Sequence, residues 1–328
     1  MLISRTPLRV SFVGGGSDLP AFSREHGGAV VSSTIDKYVY VILTERFEDG
    51  LRVGYSKTEI VNEAAELEHE LVREALGATG LHQGLEIVTI ADVPTRGTGL
   101  GSSSAVTIGL LNVLFAYQGL LKSPTELADA AARIEIDVLG KPIGRQDHYA
   151  SAHGGFQFLR FGPGDRVDRH PIALPEASSS TLEQNLLMFY TGRQRPASDV
   201  LAEIGAEIKG EGPAPDRLAQ MRDFAYELFE QFRNGADPDF VGRQLHRNWE
   251  LKRELHSSVS SPEIDAWCQR ALEAGALGGK VLGAGGGGFL LLYADPSRQR
   301  EVRAALQGQR ELHFRFETQG SRIVYVGR

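Results

Sequence analysis

The chain has 328 residues, 41% of them hydrophobic, enough for more than one core, since single cores stop growing near about 250–300 residues. A net charge of −7 argues against a nucleic-acid partner, which calls for clustered Lys and Arg on one face. One cysteine, Cys268, excludes an internal disulfide and a multi-cysteine zinc site; with no apolar run of about 18 residues and no signal-peptide layout in "MLISRTPLRV", a cytoplasmic protein without a membrane partner is expected.

In chain order, "LRVSFV" alternates Val10 and Phe12 against Arg9 and Ser11 and reads as a strand that "GGGSD" breaks. "AVVSSTIDKYVYVILTE" is rich in β-branched and aromatic residues, a strand pattern that "LEIVTIADVP" resumes. Between them, "TEIVNEAAELEHELVREAL" predicts a helix, and "SSAVTIGLLNVLFAYQG" predicts another, apolar nearly all round and therefore buried. Ser123, Pro124 and Glu126 spell a capping box with proline at the first helical position. Leu127, Ala131, Ile134 and Val138 keep the helical spacing, and Gly140 with Pro142 ends it. The Pro- and Ser-rich stretch 173–185 reads as a linker between two units, 1–175 and 185–328. Beyond it, Leu218, Met221, Ala225, Leu228 and Phe232 make one helical face, "DFVGRQLHRNWELKREL" another, and Ser261 with Pro262 opens a further helix. "KVLGAGGGGFLLLYA" and "HFRFETQGSRIVYVG" read as closing strands, so an α+β protein of two domains is expected.

Three glycine segments interrupt these elements: "VGGGSD", "RGTGLGSSSA" and "GAGGGG". The first or third alone reads more readily as a tight turn than as a ligand cradle. The middle one follows a strand and enters a helix through Gly97, Gly99 and Gly101. The unpaired N–H groups of a first helical turn, joined by serine hydroxyls, make it a phosphate site. No G-x-x-x-x-G-K-[ST] occurs, so this is not a Walker-type loop. Gly283, Gly285 and Gly288 satisfy G-x-G-x-x-G, but a strand pattern comes next where the dinucleotide fingerprint opens a helix. "GSSSA" is not the G-x-S-x-G of a hydrolase elbow.

"TPLRVSFVGGGSDLP", "PTRGTGLGSSSAV" and "KVLGAGGGGFLL", in that order and spacing, resemble the three motifs of the GHMP kinase superfamily (galacto-, homoserine, mevalonate and phosphomevalonate kinases). Within it, "GRQDHYASAHGG", "FYTGRQRPAS" and "GALGGKVLGAGGGGF" are most similar to the D-glycero-D-manno-heptose 7-phosphate kinases. The resemblance implies an N-terminal half like domain 2 of ribosomal protein S5 and a ferredoxin-like C-terminal half. It also implies an ATP- and Mg²⁺-dependent kinase for a sugar phosphate, phosphorylating the anomeric C1 hydroxyl of the heptose 7-phosphate to the 1,7-bisphosphate. Gly15 and Gly16 stand where galactokinases carry a Glu-His pair, which turns the expectation away from galactose. The rival readings are a kinase for an octose phosphate or fucose, and a nucleotide-binding module without activity. An oligomer such as a dimer stays open.

By the same resemblance Glu135 helps to hold Mg²⁺, and Asp147, twelve residues on, is the base for the attacking hydroxyl. Apart from the family, Glu135 falls near the C-terminal end of its helix, where the macrodipole disfavours a carboxylate and a cation would relieve it. The Gly140-Pro142-Gly144 break lets Asp147 return from a separate element. Arg9 matches the basic residue of the first motif and is assigned to the transferring phosphoryl group and to Asp147, whose ionised form its charge favours. Asp18 matches the acid that binds sugar hydroxyls, with Gly15 and Gly16 beside it; Gly285 and Gly286 are expected to face the substrate too. Gly97, Gly99, Leu100, Gly101, Ser102, Ser103 and Ser104 are expected to hold the nucleotide phosphates, with the Ser103 hydroxyl on the metal. A distal phosphate needs cations, for which Arg145, Arg193, Arg195 and Lys37 are candidates. His148 and His153 lack a third ligand nearby and read as packing or hydrogen-bonding residues.

Overall fold

The computed structural model describes residues 1–94, 97–235 and 237–327, so Thr95 and Arg96 at the head of the middle glycine segment lie outside the described residues. The alternation around Val10 belongs to a longer strand, β1 (Leu2–Val13). After α1 (Pro20–His26), β2 (Gly28–Glu45) runs back along β1, with Leu2 opposite Leu43 and Arg9 opposite Thr34. β3 (Leu51–Gly54) and β4 (Thr58–Val61) form a hairpin. The single helix predicted from Thr58 is therefore a strand first: the β-branched Thr58, Ile60 and Val61 suit a pleated edge better than a helix, and α2 (Glu70–Thr79) starts only at Glu70. β5 (Leu85–Ala91) lies between β2 and β3.

α3 (Ser102–Tyr117) is the buried helix that its all-round apolar sequence requires, with every residue from Ser104 to Leu111 buried. It lies close on the sheet, where Ser4 Oγ donates to the Gly109 carbonyl at 2.8 Å. α4 (Pro124–Ala132) opens on the full capping box, Ser123 accepting from the Glu126 N–H and the Glu126 carboxylate accepting from the Ser123 N–H. It continues as one π-helical turn, Arg133–Val138, closed by the Leu139 N–H on the Ile134 carbonyl. Next come α5 (Gln146–His153), β6 (Phe156–Phe161) and β7 (Val167–Pro171), β6 pairing with β2 and β7 with β6.

The stretch expected to be a linker is largely helical: α6 (Glu176–Asn185), tied down by the buried Leu182 and Asn185, leads directly into β8 (Leu186–Tyr190). Four helices succeed it, α7 (Ala197–Lys209), α8 (Ala214–Arg233), α9 (Pro238–Arg253) and α10 (Pro262–Glu273). On α8, Leu218, Met221, Ala225, Leu228 and Phe232 are all buried, and Ser261 caps α10 by accepting the Ile264 N–H. β9 (Gly278–Val281), β10 (Phe289–Tyr293), α11 (Gln299–Ala305) and β11 (Arg310–Glu311) complete an antiparallel sheet in the order β11-β8-β10-β9.

The chain then returns to the first sheet. β12 (Phe316–Glu317) pairs with β2, and β13 (Arg322–Val326) pairs with β1 at the edge, so that sheet has nine strands among the described residues. A C-terminal unit running unbroken to residue 328 thus does not describe this sheet topology. Phe316 is drawn back by an aromatic cluster, its ring 4.5 Å from Phe156 and 6.3 Å from Phe12. No helix among the described residues is long and apolar enough to cross a membrane.

Candidate active site

The middle and third glycine segments meet backbone to backbone. A Cβ on Gly99 would stand 2.2 Å from the Leu282 carbonyl oxygen, and one on Gly283 only 2.5 Å from the Gly99 Cα; both residues also hold a positive φ. From this contact the chain turns through Leu100 to Gly101, the N-cap of α3, which offers no side-chain cap. The N–H groups of Ser102, Ser103 and Ser104 have no intrahelical acceptor and carry the positive end of the helix dipole, an arrangement suited to an anion. Gly97 sits just upstream, against the backbone of Arg195.

The three serines point to different partners. Ser102 Oγ lies 3.3 Å from Thr98 Oγ1, and Ser104 Oγ lies 3.3 Å from His148 Nε2. Ser103 Oγ donates to Glu135 Oε2 at 2.5 Å. Glu135 belongs to the π-helical turn and is fully buried, rather than lying at the end of a regular helix as its sequence position suggests. Such a turn commonly marks a functional position. Burial alone would push this carboxyl up. His148 at 3.2 Å, Lys141 at 3.5 Å and the Ser103 hydroxyl outweigh it and hold the group down at about 2, and Thr107 adds a hydrogen bond at 3.0 Å. Glu135 is thus ionised and, with Ser103, presents hard oxygen donors of the kind a small divalent cation takes beside phosphates. His148 serves this carboxylate, and His153 bonds Thr125 at 3.1 Å.

Arg9 joins the phosphate loop to the opposite wall. Its backbone N–H donates to the Leu100 carbonyl at 3.0 Å and its Nη1 to the Gly99 carbonyl, while Nε and Nη2 grip both oxygens of Asp147 at 2.7 Å each. The arginine is almost wholly buried, whereas the Asp147 side chain keeps 23% of its surface open, enough to receive a ligand. Asp147 lies in the first turn of α5 and faces Gly101, where a Cβ would come within 3.4 Å of its carboxyl carbon. Asp18 stands close by. It accepts from the Gly16 N–H at 3.0 Å and from the Gln146 side-chain amide at 3.0 Å; burial raises its pKa, and the charge of Asp147 adds to the shift. Gly15 lies between Ser11 and the Gln146 amide.

The cations proposed from sequence for a distal phosphate lie in three separate places. Arg145, just before α5, shares a shallow cleft with Asp18, Asp165 and Arg166; it pairs with Asp165 at 3.4 Å, and its buried Nε has no partner among the described residues. Arg193 pairs with Glu263, and Arg195 donates to the Ser258 carbonyl at 3.1 Å and to Glu203 at 3.3 Å; their backbones flank the two glycine segments. Lys37 is held by Asp36 at 2.8 Å, beside residue 315. Gly285 and Gly286 face the 258–259 turn, with the Gly286 N–H bonded to the Val259 carbonyl at 2.7 Å.

Several polar residues at the site escape a reading of the motifs. Lys252 of α9 is buried, donates to the Gly283 carbonyl, and feels the charges of Asp18, Arg9 and Asp147. One turn earlier, Asn248 accepts the Gly14 N–H at 2.9 Å. Lys280 is buried against the Ser11 and Phe12 carbonyls at 2.8 and 3.1 Å, and burial pushes its pKa well down. A signal existed for two of these: Gln244, Asn248 and Lys252 recur every fourth residue beside the apolar Val241, Leu245 and Trp249, a polar stripe on the inward side of the helix.

Residues 59–155 match the GHMP kinases N terminal domain family and residues 227–311 the GHMP kinases C terminal family, together more than half of the chain. A D-glycero-alpha-D-manno-heptose 7-phosphate kinase of Campylobacter jejuni is 28% identical over 321 residues, spanning 93% of this chain and 92% of that one. A mevalonate kinase of Pyrococcus furiosus is 28% identical over 274 residues, spanning 79% and 76%. Among solved structures, a D-glycero-D-manno-heptose 1-phosphate kinase from Bacteroides thetaiotaomicron has the same fold over the whole of both chains, with a TM-score of 0.81 at 24% identity.

Proposed function

The chain belongs to the GHMP kinases, ATP-dependent phosphotransferases, and on that premise we propose that it phosphorylates the anomeric C1 hydroxyl of D-glycero-D-manno-heptose 7-phosphate to the 1,7-bisphosphate. The observation that carries this reading is the Arg9–Asp147 pair set against Gly101 at the open end of α3. A partly open carboxylate there lies beside a cradle for phosphates, which is what transfer to a hydroxyl requires.

Phosphoryl transfer asks a protein for position, for charge compensation, and for a group that takes the proton of the attacking hydroxyl. Asp147 takes that proton on the carboxylate that Arg9 holds at both oxygens. Arg9 fixes the orientation of the Asp147 carboxylate and, through Gly99 and Leu100, its distance from the phosphate loop. The N–H groups of Ser102 to Ser104 receive the nucleotide phosphates. Mg²⁺, when bound, neutralises charge on those phosphates; Ser103 and Glu135 are the residues that would hold it. Asp18, positioned by Gly16 and Gln146, orients the sugar hydroxyls, and Arg145 is the cation of the same cleft available to a distal phosphate. ATP and a sugar phosphate as substrates imply a cytoplasmic site of action.

The Campylobacter jejuni relative, named for a heptose 7-phosphate and spanning nearly the full length of both chains, supports a heptose phosphate as acceptor. The test is the rate of ATP-dependent turnover across D-glycero-D-manno-heptose 7-phosphate, the unphosphorylated heptose, sedoheptulose 7-phosphate, galactose, fucose and mevalonate. Preference for the heptose 7-phosphate is expected. Preference for fucose or mevalonate would keep the kinase and overturn the substrate, and turnover of none would favour a module that binds nucleotide without transferring phosphate.

A further inference from the structure

Lys252 comes from α9 and has no part in the proton transfer or the phosphate cradle. Only 3% of its surface is exposed. An ammonium carries three N–H donors. One is held by the Gly283 carbonyl, and the others find no acceptor among the described residues. The groups whose charges reach it are Asp18, then Arg9, then Asp147. A buried cation with unfilled donors is costly unless a ligand supplies the missing acceptors.

Gln146 shows the complementary vacancy. The Gln146 side-chain amide nitrogen donates to Asp18 Oδ1 at 3.0 Å. That orientation turns Oε1 the other way, where it is buried and unpartnered, and Ser11 Oγ near Gly15 is likewise unpartnered. Donor capacity at Lys252 and acceptor capacity at Gln146 are therefore left open. A polyhydroxylated ligand fills such a set, since each hydroxyl both donates and accepts; a phosphate, which only accepts, fills the Lys252 side alone.

We propose that Lys252 and Gln146 complete the sugar site begun by Asp18, Lys252 donating to one sugar hydroxyl oxygen and Gln146 Oε1 accepting from another. This rests on the sugar-kinase reading and adds the residues that hold the sugar. The link from Lys252 to Gly283 gives it a second consequence: the third glycine segment, which backs the phosphate loop at Gly99, is tied to the sugar side of the cleft.

The test separates sugar from nucleotide. In Lys252→Met, close in length and without the charge, KM for the sugar should rise about 10- to 100-fold, the scale of a lost hydrogen bond to a charged group, with KM for ATP within about twofold of wild type. Gln146→Leu, at a half-buried position in the first turn of α5, should raise the sugar KM alone by roughly 3- to 10-fold and keeps the proposal testable if the lysine variant does not fold. A sugar KM that stays within twofold in either folded variant, or an ATP KM that rises with it, overturns the inference while leaving the kinase intact. If the wild-type enzyme turns over none of the six candidate acceptors, the underlying reading falls and this one falls with it.

Discussion

The middle and third glycine segments are similar strings of residues with different tasks. In the middle one the glycines lead into a helix, so backbone N–H groups stay open at its end and Ser103 there reaches a buried carboxylate. In the third they lead into β10, whose backbone is paired on both sides, and the loop itself is engaged by Val259, Arg193 and Lys252. The element that a glycine run enters decides its role: a helix leaves donors for a ligand, a strand consumes them. The third segment is on this account a seat for the middle one, and its glycines allow two backbones to touch.

That contrast orders the expected effects of substitution. The largest belongs to the wall facing the middle segment: Asp147→Asn should bind sugar as wild type does, by calorimetry, while kcat falls about 10²- to 10⁴-fold, the usual size of a general-base contribution. Near-normal turnover would remove Asp147 from the chemistry. Gly283→Ala should instead be felt in unfolding, with a loss of about 2–4 kcal/mol from an unfavourable backbone conformation and a Cβ placed 2.5 Å from Gly99. Unchanged denaturant stability with lost activity would move the third segment into the ligand site and break the comparison. Ser103→Ala should raise KM for ATP about 10-fold, since its hydroxyl serves the cradle.

A pH profile sharpens the comparison further. Burial holds Lys252 at about 8, with Asp18 and Asp147 pulling upward and Arg9 downward, and Lys280 is the other cation close by. The ammonium is present below that pH and lost above it, so kcat/KM for the sugar should decline through about pH 8, and Lys252→Met should remove that limb. The smallest effect lies far from both segments: Ser123→Ala should cost about 1 kcal/mol of stability through the lost cap of α4 and leave kcat unchanged.

Much of the scaffold was legible because it depends on near neighbours in sequence. The buried α3, the capping box at Ser123, the apolar face of α8 and the cap at Ser261 all come from local spacing. The Gly-to-Ser helix entry was legible for the same reason. The features that stayed hidden depend on distant partners. Nothing local marks the π-helical turn at Arg133–Val138 that carries Glu135 into the core. The return of β12 to the first sheet answers to Phe12 and Phe156, far away in the chain. Lys252 meets Gly283 only once α9 has docked, so the Gln244-Asn248-Lys252 stripe marks it as inward-facing without saying what it meets.

The most direct measurement of the central claim is the ³¹P NMR spectrum of the product formed from ATP and D-glycero-D-manno-heptose 7-phosphate. The account predicts a second sugar phosphate resonance coupled to the anomeric proton, that of the 1,7-bisphosphate. A new phosphate coupled to any other carbon's proton, or no new sugar phosphate beside the ADP signals, would contradict it.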